Sequence, residues 1–133
     1  MATPVIVEHL EICEPEGLSA QLNEECVYRF VRFTGLSMEG GHIDAAFLTC
    51  TFTRIDWYWG IFNCAVFVEC QFEDCIFLGA AFPDCKFVEC SFVRCRFAKD
   101  NMGGDCSFDG AKWYGCTQTD CEGLSEHVPV TPQ

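Results

Sequence analysis

Residues 65–97 read AVFVE CQFED CIFLG AAFPD CKFVE CSFVR CRF, and a phenylalanine stands third in every block of five. The same spacing reaches back through Phe62, Trp57, Phe52 and Phe47, and Met102 continues it forward. Two positions before each centre sits a small residue: Cys50, Cys70, Cys75, Cys85, Cys90 and Cys95, or Ala45, Ala65 and Ala80. Neither a helix of period 3.6 nor a strand of period 2 keeps every fifth residue on one side. A fixed period sustained over this length predicts a stacked repeat architecture.

With each unit numbered −2 to +2 about its centre, positions −2 and 0 point inward and the other three point outward. Acids gather at +2: Glu69, Asp74, Asp84 and Glu89. After Met102 the apolar centres move to Phe108 and Trp113, and Cys106, Ala111, Cys116 and Cys121 follow in the new frame. The shift reads as a one-residue insertion around Gly103-Gly104, either a corner bulge or a recognition loop. Upstream, Cys26/Tyr28, Val31/Phe33 and Leu36/Met38 fit three units before Gly40-Gly41 breaks the frame. Residues 26–44 are therefore expected to form an imperfect first coil.

These residues resemble the pentapeptide-repeat family, whose unit is loosely Ala-Asp/Asn-Leu-x-x with Phe allowed at the centre. The resemblance covers about residues 45–124. It departs at −1, where Thr51, Gln71, Lys86, Ser91 and Arg96 replace the acidic or amide residue. It implies an all-β fold, a right-handed quadrilateral parallel β-helix of about four coils with 20 residues in each. Stacks of Phe47/Phe67/Phe87, Phe52/Phe72/Phe92, Trp57/Phe77/Phe97 and Phe62/Phe82/Met102 are then expected. Residues 1–25 are expected to form an N-terminal cap, with an extended part at 4–13 and a polar turn or short helix at 15–25. Residues 26–124 form the β-helix and 125–133 a flexible tail.

The chain has 133 residues and twelve cysteines. That cysteine content suits a secreted disulfide scaffold, but most of these cysteines share a slot with alanine. Such a slot selects a small buried side chain, and a reduced thiol behaves as one. Free thiols and a cytoplasmic location follow as expectations. Residues 1–25 hold six acids and neither Lys nor Arg, so a signal peptide is not expected. No apolar run is long enough for a membrane helix. Zinc requires paired ligands, and here C-x-x-C is missing while His9, His42 and His127 are scattered. No phosphate loop or nucleophile elbow occurs, and neither Cys64, expected outward at +2, nor His42 has a partner for catalysis. No enzyme activity, cofactor or metal is expected.

What remains is surface. The formal charge of −12 argues against direct nucleic-acid binding and favours a basic protein partner. Family members that protect bacteria from quinolones present acidic, DNA-like rods to gyrase. Here residues 45–99 hold six acids and five bases, a net of −1, and the negative excess lies at the two ends. On one face the outward slots instead read Asp56, Tyr58, Trp59, then Ile76, Leu78, Gly79, then Arg96, Ala98, Lys99. Tyr58, Trp59, Ile76 and Leu78, with the acids Glu69, Glu73, Asp74 and Glu89, are the candidate protein-binding residues. The expected function is an immunity or protective protein that inhibits a basic nucleic-acid-processing enzyme, a nuclease toxin or a DNA topoisomerase. The alternative is a structural adaptor or homo-oligomer, a homodimer included, assembled through apolar faces.

Overall fold

The structure is a computed structural model and describes residues 5–14 and 26–129. The turn or helix expected at 15–25 and the last four residues of the tail lie outside that range. Every strand pair is parallel, and no helix occurs among the described residues. The first face is a six-stranded sheet of Val5–Glu8, Cys26–Arg29, Ala45–Leu48, Val66–Val68, Lys86–Val88 and Lys112–Tyr114. The second face stacks Glu11–Ile12, Arg32–Thr34, Thr51–Thr53, Gln71–Glu73, Ser91–Val93 and Thr117–Thr119. The third stacks Ser37–Glu39, Asp56–Tyr58, Ile76–Leu78 and Arg96–Ala98. The fourth pairs His42–Ile43 with Ile61–Phe62 and continues through isolated bridges at Ala81 and Ser107. Four faces, taken in turn by a chain that advances one parallel-strand spacing per circuit, make a solenoid of about four coils.

The corners explain how three-residue strands alternate so tightly. Among the described residues, twelve non-glycine residues adopt positive φ, all between 51° and 60°, and each stands at position +2 of a unit. One left-handed residue turns the chain from each face to the next. Its N–H then donates to the +1 carbonyl of the following coil, as Thr49 does to Val68 and Glu69 to Val88, both at 2.8 Å. This is a physical reason for the aspartates at +2, Asp74, Asp84 and Asp120, since Asp tolerates the left-handed region better than most residues. Thr49 does not, because its branched Cβ crowds the following carbonyl. Thr49 is exposed with φ +53°, so Thr49→Gly should raise stability by about 1 kcal/mol. A urea midpoint that falls instead would show that the corner is not strained.

Inside, the rings stack as ladders. Phe47, Phe67 and Phe87 lie 4.9 Å apart and within 6° of parallel, and neighbouring ladders meet edge to face. Phe52, Phe72 and Phe92 form the second ladder, and Trp57, Phe77 and Phe97 share the third register. Offset stacks and T-shaped pairs are the favoured aromatic geometries. Burying each ring removes about 1.5–3 kcal/mol of apolar surface cost from the folded state.

The fourth ladder differs from the sequence expectation. Its rungs are Ile43, Phe62, Phe82 and Phe108, while Met102 is 85% exposed. The register interval there is 26 residues (Lys86 pairs with Lys112, Ser91 with Thr117) rather than 20. Six residues leave the helix as a loop, not one as a bulge. At the other end Gly40-Gly41 does not break the frame. Gly40 is a +2 corner with φ +68°, and Ile43 is a fully buried centre. The residue missing from that coil falls between Ile43 and Ala45, so Tyr28 pairs with Phe47 at an interval of 19.

The N-terminal strands lie on the end of the solenoid, Val7 over Tyr28 and Ile12 over Phe33, and do not fold across a side face. The opposite end is closed by the segment expected to be a loose tail. Val128 is buried, its carbonyl accepts a 2.5 Å hydrogen bond from Gln118 Nε2, and His127 lies against Phe108 and Trp113. Gln118 takes a centre position, and its amide meets a carbonyl where the next coil would begin.

Candidate functional site

The third face carries the exposed aromatic pair. Tyr58, at +1, is 37% exposed and Trp59, at the +2 corner, 40% exposed. Their rings are 6.2 Å apart and tilted by 53°. Leu78 and Ile76 pair with Tyr58 and Asp56 on the next coil and are half-buried. The sequence candidates Tyr58, Trp59, Ile76 and Leu78 therefore form one continuous surface.

The six-residue loop stands beside it, and Asp100 organises both. Trp59 Nε1 donates to Asp100 Oδ2 at 2.7 Å. Asp100 Oδ1 accepts from the backbone N–H groups of Met102 and Gly104, each at 2.8 Å. The loop closes on itself through Asp100 N–H to the Gly104 carbonyl. The Gly104 and Met102 amides, with the Trp59 indole, hold the Asp100 carboxyl below the usual carboxylate range. Its charge, and with it the loop's anchor, persists to lower pH than that of an ordinary aspartate. A Cβ at Gly79 would approach Asp100 Oδ2 to 2.5 Å and one at Gly104 to 2.8 Å, so both glycines make room for that carboxylate. Asp100 also explains why Met102 is outside: in the expected frame an aspartate would have occupied the inward −2 slot.

Around the hollow that results stand Glu39, Tyr58, Trp59, Leu78 and Asn101, enclosing about 440 Å³. Glu39 and Asn101 were not singled out in the sequence. Glu39 lies at +1 of the third unit, on the strand that pairs with Asp56–Tyr58.

The candidate acids divide into two kinds. Glu73 and Asp74 are held by Arg94 of the following coil, at 2.6 Å and 2.7 Å. The +20 register sets that base above those acids, so the pair is not a free acidic patch. Glu73 and Asp74 would therefore meet a partner already paired with Arg94, with all three side chains still partly exposed. Glu69 and Glu89 are stacked at the first corner, both exposed, and neither has an ion pair among the described residues.

The small slot does more than fill space. Cys70 and Cys90 donate their S–H to the carbonyls of Phe47 and Phe67 at 3.3 Å, and Cys75 and Cys95 donate to Phe52 and Phe72. Each acceptor is the centre carbonyl one coil earlier, a link that alanine cannot make. Burial pushes the Cys85 thiol up to about 12 from the ordinary 9.0. A raised thiol pKa stabilises the fold fully below pH 9 and is lost as pH climbs towards 12. Stability should therefore fall across that alkaline window, by at most about 1.4 kcal/mol per pH unit for each such thiol. At neutral pH a thiol reagent should label the exposed Cys13 and Cys64 fast and the ladder cysteines only on unfolding. Fast labelling of Cys70 or Cys90 in the native protein would contradict this. No cluster of three His, Cys, Asp or Glu side chains is placed to hold a metal among the described residues.

A five-residue unit, four parallel faces, a left-handed residue at each corner and ring ladders at intervals of 20 are now all established. The fold is a quadrilateral parallel β-helix of five-residue units. No family model matches the sequence, and no curated protein matches it. Among solved structures, the pentapeptide-repeat protein Rfr23 from the cyanobacterium Cyanothece 51142 aligns at 7% identity. That alignment covers 89% of this chain and 84% of the other, with a TM-score of 0.34. Trypsin-treated QnrB1, a plasmid-mediated fluoroquinolone resistance protein, aligns at 13% identity over 89% of this chain and 72% of its own, with a TM-score of 0.38. The pentapeptide solenoid described here sets its hollow on the third face, where the loop between Phe97 and Phe108 overhangs two ordinary coils.

Proposed function

We propose that this protein is a non-enzymatic, acidic protein-binding module. Its partner is a basic nucleic-acid-processing enzyme, a nuclease toxin or a DNA topoisomerase, which it binds and inhibits. The observation that carries this reading is the exposed Tyr58–Trp59 pair, fixed to a rigid face by Asp100 in a chain of net charge −12. Aromatic anchors of this type supply binding energy, and surface charge supplies speed and choice of partner. A uniform DNA mimic fits less well, because Arg94 neutralises Glu73 and Asp74 in the middle of the rod.

The test is inhibition of DNA supercoiling by gyrase, and of DNA cleavage by a panel of basic nucleases, with purified protein. The expected result is inhibition of one of them at micromolar concentration, lost in Tyr58→Ala/Trp59→Ala. Inhibition unchanged in the double variant would remove the aromatic anchor, and no inhibition of any would remove the inhibitor reading.

A second reading, self-assembly, is favoured by the N-terminal end. There Val5, Ile6, Leu10 and Phe30 are all exposed, on or beside Val5–Glu8, the outermost strand of the first sheet among the described residues. Light scattering decides it: a stable dimer that dissociates in Ile6→Lys supports assembly, and a monomer excludes it.

A further inference from the structure

We propose that the hollow bounded by Tyr58, Trp59, Leu78, Glu39 and Asn101 seats one basic side chain, an arginine or a lysine, of a protein partner. The inference rests on the reading that this face meets a basic protein, and it names the point of contact. Four observations support it. Two aromatic rings, tilted to each other, line one space, and aromatic faces attract guanidinium and ammonium groups. The Trp59 ring is held in place by its 2.7 Å hydrogen bond to Asp100 and by its corner backbone. It need not be ordered on binding.

The Glu39 carboxylate lies on the rim, and neither it nor Asp56 has an ion pair among the described residues. The cations of the third face lie instead on the fourth coil, where Arg96 is turned to Glu122 at 2.9 Å and Lys99 is exposed beside the loop. The half of the face that holds the hollow thus carries Glu39 and Asp56 without an ion pair among the described residues, with the exposed Arg54 at the corner before Asp56. Leu78 supplies an apolar wall for the methylene stem of a long basic side chain. Asn101 supplies an amide oxygen that can accept from its N–H groups.

The experiment is an NMR titration of the full chain with a capped pentapeptide of glycine with arginine at its centre. The control peptide carries neutral citrulline, which has nearly the same shape. The expected result is a saturable shift of the Trp59 indole and of the Glu39 and Leu78 amides with the arginine peptide, and at least ten-fold weaker binding of the citrulline peptide. Trp59→Gly should weaken arginine binding at least ten-fold, read on the Glu39 and Leu78 amides, and Glu39→Gln several-fold. Glycine is the safe replacement, because Gly40 and Gly79 already occupy the corners above and below with positive φ.

Equal response to both peptides, or undiminished binding by Trp59→Gly, would overturn the proposal. So would a dimer that buries Trp59 against a second copy. The two readings can fail separately. A basic enzyme still inhibited by Trp59→Gly, but released by Glu69→Gln/Glu89→Gln, would remove the seat and leave the broader function. Arginine capture without inhibition of any enzyme would do the reverse.

Discussion

Truncating Phe67 to alanine should cost about 3–5 kcal/mol, whereas truncating Met102 should cost less than about 0.5 kcal/mol. Phe67 is 1% exposed and stacked on Phe47 and Phe87, each at 4.9 Å. It also meets Phe72 edge to face at 5.5 Å. Alanine removes the ring from the middle of a ladder that parallel strand pairing holds at fixed spacing, so the cavity cannot easily collapse. A domain of this size has about 5–15 kcal/mol in total, and solenoid coils depend on their neighbours. Phe67→Ala should thus be largely unfolded near its wild-type melting temperature, and Phe67→Leu should recover much of the loss. Urea denaturation of the three variants checks this. A Met102→Ala loss comparable to that of Phe67→Ala would return Met102 to the core.

The contrast between those residues marks how far the sequence could be read. Period five and the small slot were enough for a stacked repeat and for the outward positions of Tyr58 and Trp59, while the four faces and the ladders at intervals of 20 came from the family resemblance. They were not enough at the loop, because Met102 falls on the period by coincidence. The corrective signal was its −2 position: Asp100 is a charged residue that could not point into a core of phenylalanines. The same rule applied at Gly41 would have recovered Ile43, since glycine satisfies a small slot. The thiol hydrogen bonds were not legible at all, because a slot shared with alanine discloses size and hides the donor.

The site was half legible for a related reason. Outward positions follow from the period, and the 20-residue coil that the family resemblance implies then places Tyr58, Trp59, Ile76 and Leu78 on one surface. What touches that surface depends on where six looped residues return, and on Asp100 reaching Trp59 across 41 positions of sequence. No periodic rule contains that contact. Spacing does contain the ion pairs of Arg94, because +2 at 94 lies one coil above +2 at 74. Tracking charge at intervals of 20 would have removed Glu73 and Asp74 from the free acids.

Gly60→Ala should cost about 1–3 kcal/mol, the usual penalty of overpacking, and Trp57→Phe should abolish most of that cost. Gly60 occupies the small slot of its unit, where the neighbouring coils carry Gly41 and Ala80. Alanine would look harmless there from spacing alone. Trp57 changes the answer. Its indole is larger than the phenylalanine used at Phe77 and Phe97 in the same ladder, and it extends over the next corner to donate Nε1–H to the Gly40 carbonyl at 2.8 Å. A Cβ on Gly60 would fall 2.6 Å from Trp57 Cδ1 and closer still to Nε1. The indole would have to swing away and surrender that hydrogen bond. Replacing Trp57 by phenylalanine removes the indole nitrogen and its fused ring, and one coil later Phe77 already coexists with Ala80 in the corresponding positions. The double variant should therefore be more stable than the sum of the two single changes implies, by roughly 1–3 kcal/mol of coupling. Strict additivity in urea denaturation would mean that the indole does not lie over Gly60. The third ladder would then have to be packed differently from its neighbours, and the base of the Tyr58–Trp59 surface with it.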